Sequence, residues 1–216
     1  MGLLRSFYSL AMTEIGKFVM TTQGIAFSIS GEIRDTRYEI RIKTWSFNKM
    51  IKTILFVCTG NTCRSAMAEG IFKKMLKERR EDDTKFNVLS AGISAIPGMS
   101  PTPEAIKVMS EQSIDISQHI ATQVDEDIVK KADLILVMSN RHKDYINTRF
   151  TFAQNKIYLL KEFAQIGEFK STRNTDKNYE IIDPLGRPTE FYRIVAKELK
   201  ENLEKVLDKI IEENKK

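Results

Sequence analysis

Cysteine is scarce in this 216-residue chain: there are two, Cys58 and Cys63, and they stand five positions apart. A pair so close cannot staple a fold of this length, which excludes a secreted disulfide framework. No uninterrupted apolar run approaches the roughly 18 residues that a membrane span requires. A strong excess of one charge is also missing. The formal net charge is +5, and stretches such as "KKMLKERREDD" mix cations with acids in the manner of solvated helix faces. No basic stripe carries interleaved aromatics, so nucleic acid is not an expected partner. What is present is a hydrophobic fraction of 42%, enough for a proper core. The chain reads as a soluble, cytoplasmic protein without a membrane association.

Residues 1–49 differ from the remainder. "MGLLRSFYSLAM" lacks acids, but Arg5 interrupts its apolar run and no small-residue cleavage site follows. Met1-Gly2 with Ser6 fits the short myristoylation pattern, and "YEIRIKTW" alternates like a half-buried strand. None of this connects to chemistry. Met50 opens "MIKTILFVCTGN", where a self-contained domain would start. Residues 1–49 are therefore read as an N-terminal extension, either untranslated in the native frame or disordered, and 50–216 as the functional domain.

From Met50 the chain alternates between two periodicities. "IKTILFV", Ile51–Val57, is a continuous β-rich apolar run, as in a strand buried on both faces. From about Ser65, Met67, Ile71 and Met75 recur with Ala68, Phe72 and Leu76 along one helical face. "KFNVLSAG", "DLILVM" and "NKIYLL" read as three more strands. "PEAIKVMSEQ", "DEDIVKKA", a segment from Asn140 and "EFYRIVAKELKENLEKVLDKIIEE" read as helices. The last places Phe191, Ile194, Val195, Leu199, Leu203, Val206, Leu207 and Ile210 inward. Lys161–Glu180 is polar and irregular, and "GISAIPGMSPTP" is a Pro/Gly loop. The expected class is α/β: a four-stranded parallel sheet with helices on both faces. Ligands of such sheets sit at the carboxyl ends of the strands, and Cys58 follows the first strand at such an end.

"VCTGNTCRSAMAEG", Val57–Gly70, carries the chemistry. A loop running from a strand into a helix N-terminus aims several N–H groups at one point and receives an anion, most commonly phosphate. The same field favours a thiolate, which makes Cys58 a candidate nucleophile. Arg64, at the far end of the loop, can return a planar fork of donors to two phosphoryl oxygens. Gly60 is expected to let the backbone turn tightly around the bound group. Cys58, the curled residues Thr59, Gly60, Asn61, Thr62 and Cys63, and Arg64 thus make a phosphate cup with a nucleophile at its base.

This segment resembles the phosphate loop of the low-molecular-weight protein tyrosine phosphatase family. Asp183-Pro184 in "IIDPLGRP" resembles the family's second signature, and "LSAG" and "SQHIA" resemble segments that supply a serine and a histidine. The likeness runs from Met50 onward. It implies that the Cys58 thiolate attacks phosphorus while Arg64 and the amides of Thr59 through Arg64 hold the oxygens. It further implies that Asp183 protonates the leaving group and then activates water. Ser65 would bond the Cys58 sulfur; Asn61, Ser90 and His119 would brace the loop; Cys63 would pair with Cys58 on oxidation. No metal or cofactor is called for, and the partners implied are phosphorylated proteins acted on by a monomer. His142 reads as a solvated helix residue, and the nine methionines as core filler.

Thr62 stands where tyrosine-specific members carry a bulky aliphatic residue, which is similar to the protein-arginine phosphatase branch. A compact polar side chain suits a guanidinium phosphoramidate, so phosphoarginine is the expected substrate and phosphotyrosine the alternative. Leu185 departs from the aromatic expected after Asp-Pro. Ala66 replaces the usual proline at the helix start, and Thr122 stands where many members have arginine. Arsenate reduction, a chemistry of related folds, passes a disulfide to a further cysteine that this chain lacks. An inactive anion-binding or thiol-sensing module would be expected to have lost Cys58, Arg64 or Asp183.

Overall fold

The computed structural model describes residues 50–79, 86–166 and 178–215. The strand-like segment and the terminal motifs of residues 1–49 lie outside the described residues. Four strands, β1 (Thr53–Cys58), β2 (Asn87–Gly92), β3 (Leu134–Val137) and β4 (Ile157–Leu159), pair in parallel in the order β2-β1-β3-β4. Val57 of β1 stands opposite Ala91 on one side and Val137 on the other. Six α-helices accompany them among the described residues: α1 (Arg64–Glu78), α2 (Pro103–Glu111), α3 (Glu126–Lys131), α4 (Asn140–Arg149), α5 (Leu160–Gln165) and α6 (Thr189–Glu213), with a 3-10 helix at Thr151–Lys156.

The unbroken apolar run of β1 is explained by cover on both sheet faces. Leu55, Val57, Ile135, Val137, Ile157 and Leu159 point to one face and meet Val129 of α3 and Ile146 of α4. On the other face Phe56 meets Phe72 of α1 edge-on, ring centroids 5.6 Å apart, and Tyr158 meets Phe163 of α5 at the same separation. Helix α6 packs across α1, α2 and α5. Two helix starts follow local chemistry: Asp125 Oδ1 accepts from Ile128 N at 2.8 Å, and Thr102 Oγ1 accepts from Ala105 N ahead of Pro103.

Three details correct the sequence reading. In α6 the buried stripe runs through Tyr192, Val195, Ala196, Leu199, Leu203, Val206, Leu207 and Ile210. Ile194 is exposed because it lies about 200° round the helix from Tyr192, and Phe191 falls at the stripe's edge, half-buried. Second, Lys161–Glu180 is not irregular from its start, since α5 takes Leu160 to Gln165. Leu160, Phe163 and Ala164 have the i, i+3, i+4 spacing of one helical face and are all buried. Third, β4 is shorter than "NKIYLL". Lys156 turns aside, and its ammonium donates to the carbonyls of Val129 in the last turn of α3 and of Ala132 just after it.

Candidate active site

β1 ends at Cys58, and the five residues after it curl before α1 begins at Arg64. The curl is held from one side by β2 and its continuation: Ile93 N donates to Cys58 O and Ser94 N to Thr59 O, both at 2.9 Å. Thr102 N donates to Thr62 O at 3.1 Å. The first turn of α1 contains no acidic residue, and its N-cap, Cys63, makes no side-chain capping bond. Its amides therefore remain available at the loop's centre.

The strained residue of the loop is Asn61, not Gly60. Asn61 has φ 57°, whereas a Cβ on Gly60 would only come into ordinary contact with Thr62 Oγ1 at 3.5 Å. Asparagine tolerates the left-handed region, and here every polar group of its side chain is used. Nδ2 donates to Ser65 Oγ at 2.9 Å and to Ser90 Oγ at 2.8 Å, and Oδ1 accepts from Thr122 N at 2.8 Å. His119 Nε2 lies 2.9 Å from the Asn61 carbonyl. Behind this ring Ser90 Oγ donates to Glu69 Oε2 at 2.5 Å, with His119 Nδ1 at 3.7 Å from the same oxygen. Ser90 thus meets the Asn61 side chain, and His119 meets the Asn61 backbone carbonyl.

The required glycine is Gly92, at the end of β2. A Cβ there would stand 2.5 Å from Thr59 O and 2.9 Å from Asn61 N. The loop lies on that bare Cα, and glycine is needed for the close approach rather than for its own dihedral angles.

At the base of the curl Cys58 is 3% exposed; its sulfur lies 2.9 Å from Ser65 Oγ and accepts from Asn61 N at 3.3 Å. Arg64 is buried beside it. Nη2 meets Asp183 Oδ2 at 2.5 Å, Nη1 donates to Ile181 O at 3.2 Å, and Nε has no partner among the described residues. Asp183 is half-exposed at the mouth, its Oδ1 accepting from Leu185 N, while Pro184 is buried and its carbonyl accepts from Arg187 N. A cleft of about 590 Å³ brings together Cys58, Thr62, Cys63, Arg64, Asp183 and Leu185. Its wall contains the exposed Ile96 and Met99 of the Pro/Gly loop, which the sequence reading passed over. Two large apolar residues in a loop were the available signal.

Cys63 is buried with its sulfur 3.6 Å from Thr102 Oγ1 and 3.7 Å from Tyr192 OH. Burial pushes the thiol's pKa up, against the pull of those hydroxyls, and pushes the Tyr192 phenol up to about 12. His142 contradicts its reading as a solvated residue: it is 1% exposed. Its Nε2 lies 2.9 Å from Thr59 Oγ1 and its Nδ1 2.9 Å from Ser139 Oγ. Burial, then the charge of Arg64, pushes the imidazole down to about 4, so at neutral pH it has one donor and one acceptor for its two hydroxyl partners. Sequence alone hides this contact, because α4 brings His142 to the loop across 83 residues of chain.

A buried cysteine whose sulfur accepts from a loop N–H, a guanidinium in the same cleft and a carboxylate at the mouth can bind and transfer a tetrahedral anion. Among the described residues no cluster of His, Cys, Asp and Glu fit for a metal occurs. Comparison with known proteins agrees with this geometry. The protein-arginine-phosphatase of Bacillus subtilis is 35% identical over 150 residues, 69% of this chain and 91% of that protein. The structure of YwlE arginine phosphatase from Geobacillus stearothermophilus superposes with TM-score 0.63 at 32% identity, covering 75% of this chain and 94% of that one. A low molecular weight protein tyrosine phosphatase from T. tengcongensis gives TM-score 0.64 at 36% identity, with 73% and 99% covered. The family model "low molecular weight phosphotyrosine protein phosphatase" matches residues 53–216, and the chain belongs to that family.

Proposed function

We propose that this protein is a protein phosphatase that hydrolyses phosphoarginine through a phosphocysteine intermediate. The observation that carries the phosphatase reading is the Cys58 sulfur seated under Asn61 N and beside Ser65, in one cleft with Arg64 and Asp183. In the first step the Cys58 thiolate attacks phosphorus and the P–N bond breaks. Asp183 donates a proton to the departing guanidine nitrogen, leaving a P–S bond and a free arginine side chain. In the second, Asp183 takes a proton from water, the oxygen attacks phosphorus, and the P–S bond breaks to give inorganic phosphate and thiolate. The amides of Thr59 through Arg64 and the Arg64 guanidinium hold the equatorial oxygens in both steps. Without substrate Arg64 is paired with Asp183. An arriving phosphoryl group takes over the guanidinium and frees the carboxyl for proton transfer.

The arginine assignment is supported by Thr62 lining the same cleft as Asp183 and Leu185, and by relatives named as protein-arginine-phosphatases. Thr62 offers a hydroxyl to the guanidinium nitrogens where an aliphatic side chain could only pack. Phosphotyrosine is the second reading, favoured by relatives named as tyrosine phosphatases. Turnover of a phosphoarginine peptide and a phosphotyrosine peptide, by wild type and by Thr62→Ile, decides between them. The proposal expects preference for phosphoarginine and its shift toward phosphotyrosine in the variant. Absence of phosphoarginine turnover overturns the arginine assignment, and equal rates for wild type and Cys58→Ser overturn the phosphatase reading.

A further inference from the structure

The segment from Asn178 to Pro188, which carries Asp183, contains neither helix nor strand, so its place is set by individual contacts. Two of these come from Arg64, to Asp183 Oδ2 and to Ile181 O. Both involve the guanidinium that a bound phosphoryl group takes over. Among the contacts that do not depend on Arg64, Leu185 N to Asp183 Oδ1 and Arg187 N to Pro184 O stay inside the segment, Phe191 N to Pro188 O joins it to α6, and the ties to β3, α5 and α4 lie upstream. Ile181 is buried and its N donates to Met138 O at 2.9 Å, at the end of β3. Lys161 Nζ donates to Glu180 O at 3.1 Å, and Glu180 N donates to Asn178 Oδ1. A further side-chain tie runs to α4. Glu180 Oε1 accepts from the first amide of α4, Asn140 N, at 2.8 Å and from Asn140 Nδ2 at 3.0 Å.

That carboxylate sits where the α4 dipole favours a negative charge, and it supplies a partner for one of the amides that a helix start leaves open. Ser139, the N-cap, makes no side-chain capping bond and instead meets His142. The cap of α4 is thus supplied from the acid-bearing segment, three residues before Asp183.

The geometry points to Glu180 as a positioning residue: it holds the Asp183 segment against α4 when Arg64 has turned to the phosphoryl group. This inference rests on the phosphatase reading. Loss of the tie lets Asp183 drift from the leaving atom, so the cost falls on substrates whose leaving group needs a proton. Phenyl phosphate needs one far more than p-nitrophenyl phosphate does, and kcat/KM reports the step in which the leaving group departs.

The test is kcat/KM of wild type, Glu180→Ala and Glu180→Gln on both esters. In Glu180→Ala the expected loss is about tenfold or more on phenyl phosphate and about threefold or less on p-nitrophenyl phosphate, within the range of one general acid's contribution. Glutamine keeps an acceptor for Asn140 N, so Glu180→Gln should recover most of the phenyl phosphate rate. Equal losses on the two esters, or no rescue by glutamine, overturn the assignment. Should Glu180→Ala fail to fold, Asn140→Ala removes one of the two bonds and should show the same leaving-group bias in smaller size; no bias there overturns the assignment too. A wild type without turnover of either ester would instead remove the phosphatase reading.

Discussion

Replacement of Asn61 by alanine removes three hydrogen bonds at once: to Ser65, to Ser90 and from Thr122 N. At about 1 kcal/mol of net stability for each, the bonds account for about 3 kcal/mol. Alanine must also hold the left-handed φ of 57°, which adds about 1 kcal/mol relative to a residue that tolerates it. Asn61→Ala should therefore lose about 4 kcal/mol. Asn61→Gly loses the same bonds but not the backbone strain, and should sit about 1 kcal/mol above the alanine variant. Urea unfolding by linear extrapolation measures both. Turnover of p-nitrophenyl phosphate should fall in both variants, because Asn61 N no longer has a fixed place 3.3 Å from the Cys58 sulfur. A loss below about 1 kcal/mol for alanine, or a glycine variant less stable than the alanine one, would refute the view that this side chain holds the loop in its strained shape.

Gly92→Ala places a methyl group 2.5 Å from Thr59 O, where backbone must move; a stability loss of about 1–3 kcal/mol with reduced turnover is expected in urea unfolding and rate assays, and an unchanged rate would contradict the close approach. His142 is held at about 4 in the folded chain against 6.5 when unfolded. Between those values the unfolded chain binds a proton that the folded one refuses, so stability contributed at neutral pH is lost as pH falls from 6.5 toward 4. The lowered value corresponds to about 3 kcal/mol. Unfolding of wild type and His142→Gln at pH 7 and at pH 4 should show a smaller acid loss in the variant; identical slopes would contradict it.

The nucleophile loop was legible because its signals are local. Cys58 and Arg64 stand six residues apart between an apolar strand and an amphipathic helix, so residues and geometry coincide in one stretch. The parallel sheet follows from alternating strands and helices, whereas its order β2-β1-β3-β4 comes from the structure alone. The supporting contacts were not legible from spacing. His142, Gly92 and Tyr192 act on the loop across long stretches of chain, and no spacing in the sequence marks the contacts they make. Gly60 was assigned the turn because glycine is the usual residue there, yet the positive φ falls on Asn61, whose side chain bonds offset the strain. Helix α5 was obscured by the polar residues after it, since its apolar face is only Leu160, Phe163 and Ala164. The Asp183 segment announced itself by Asp-Pro, while its tie to α4 through Glu180 depends on tertiary structure alone.

The account turns on a covalent bond between phosphorus and the Cys58 sulfur. Asp183→Ala should leave attack on p-nitrophenyl phosphate feasible while slowing the water step, so that phosphoenzyme accumulates. Rapid quenching and peptide mass spectrometry should then find one phosphoryl group on the fragment containing Cys58 and none in Cys58→Ala carrying the same change. Steady turnover with no phosphoryl group on Cys58, or a phosphoryl group on a different residue, would contradict it.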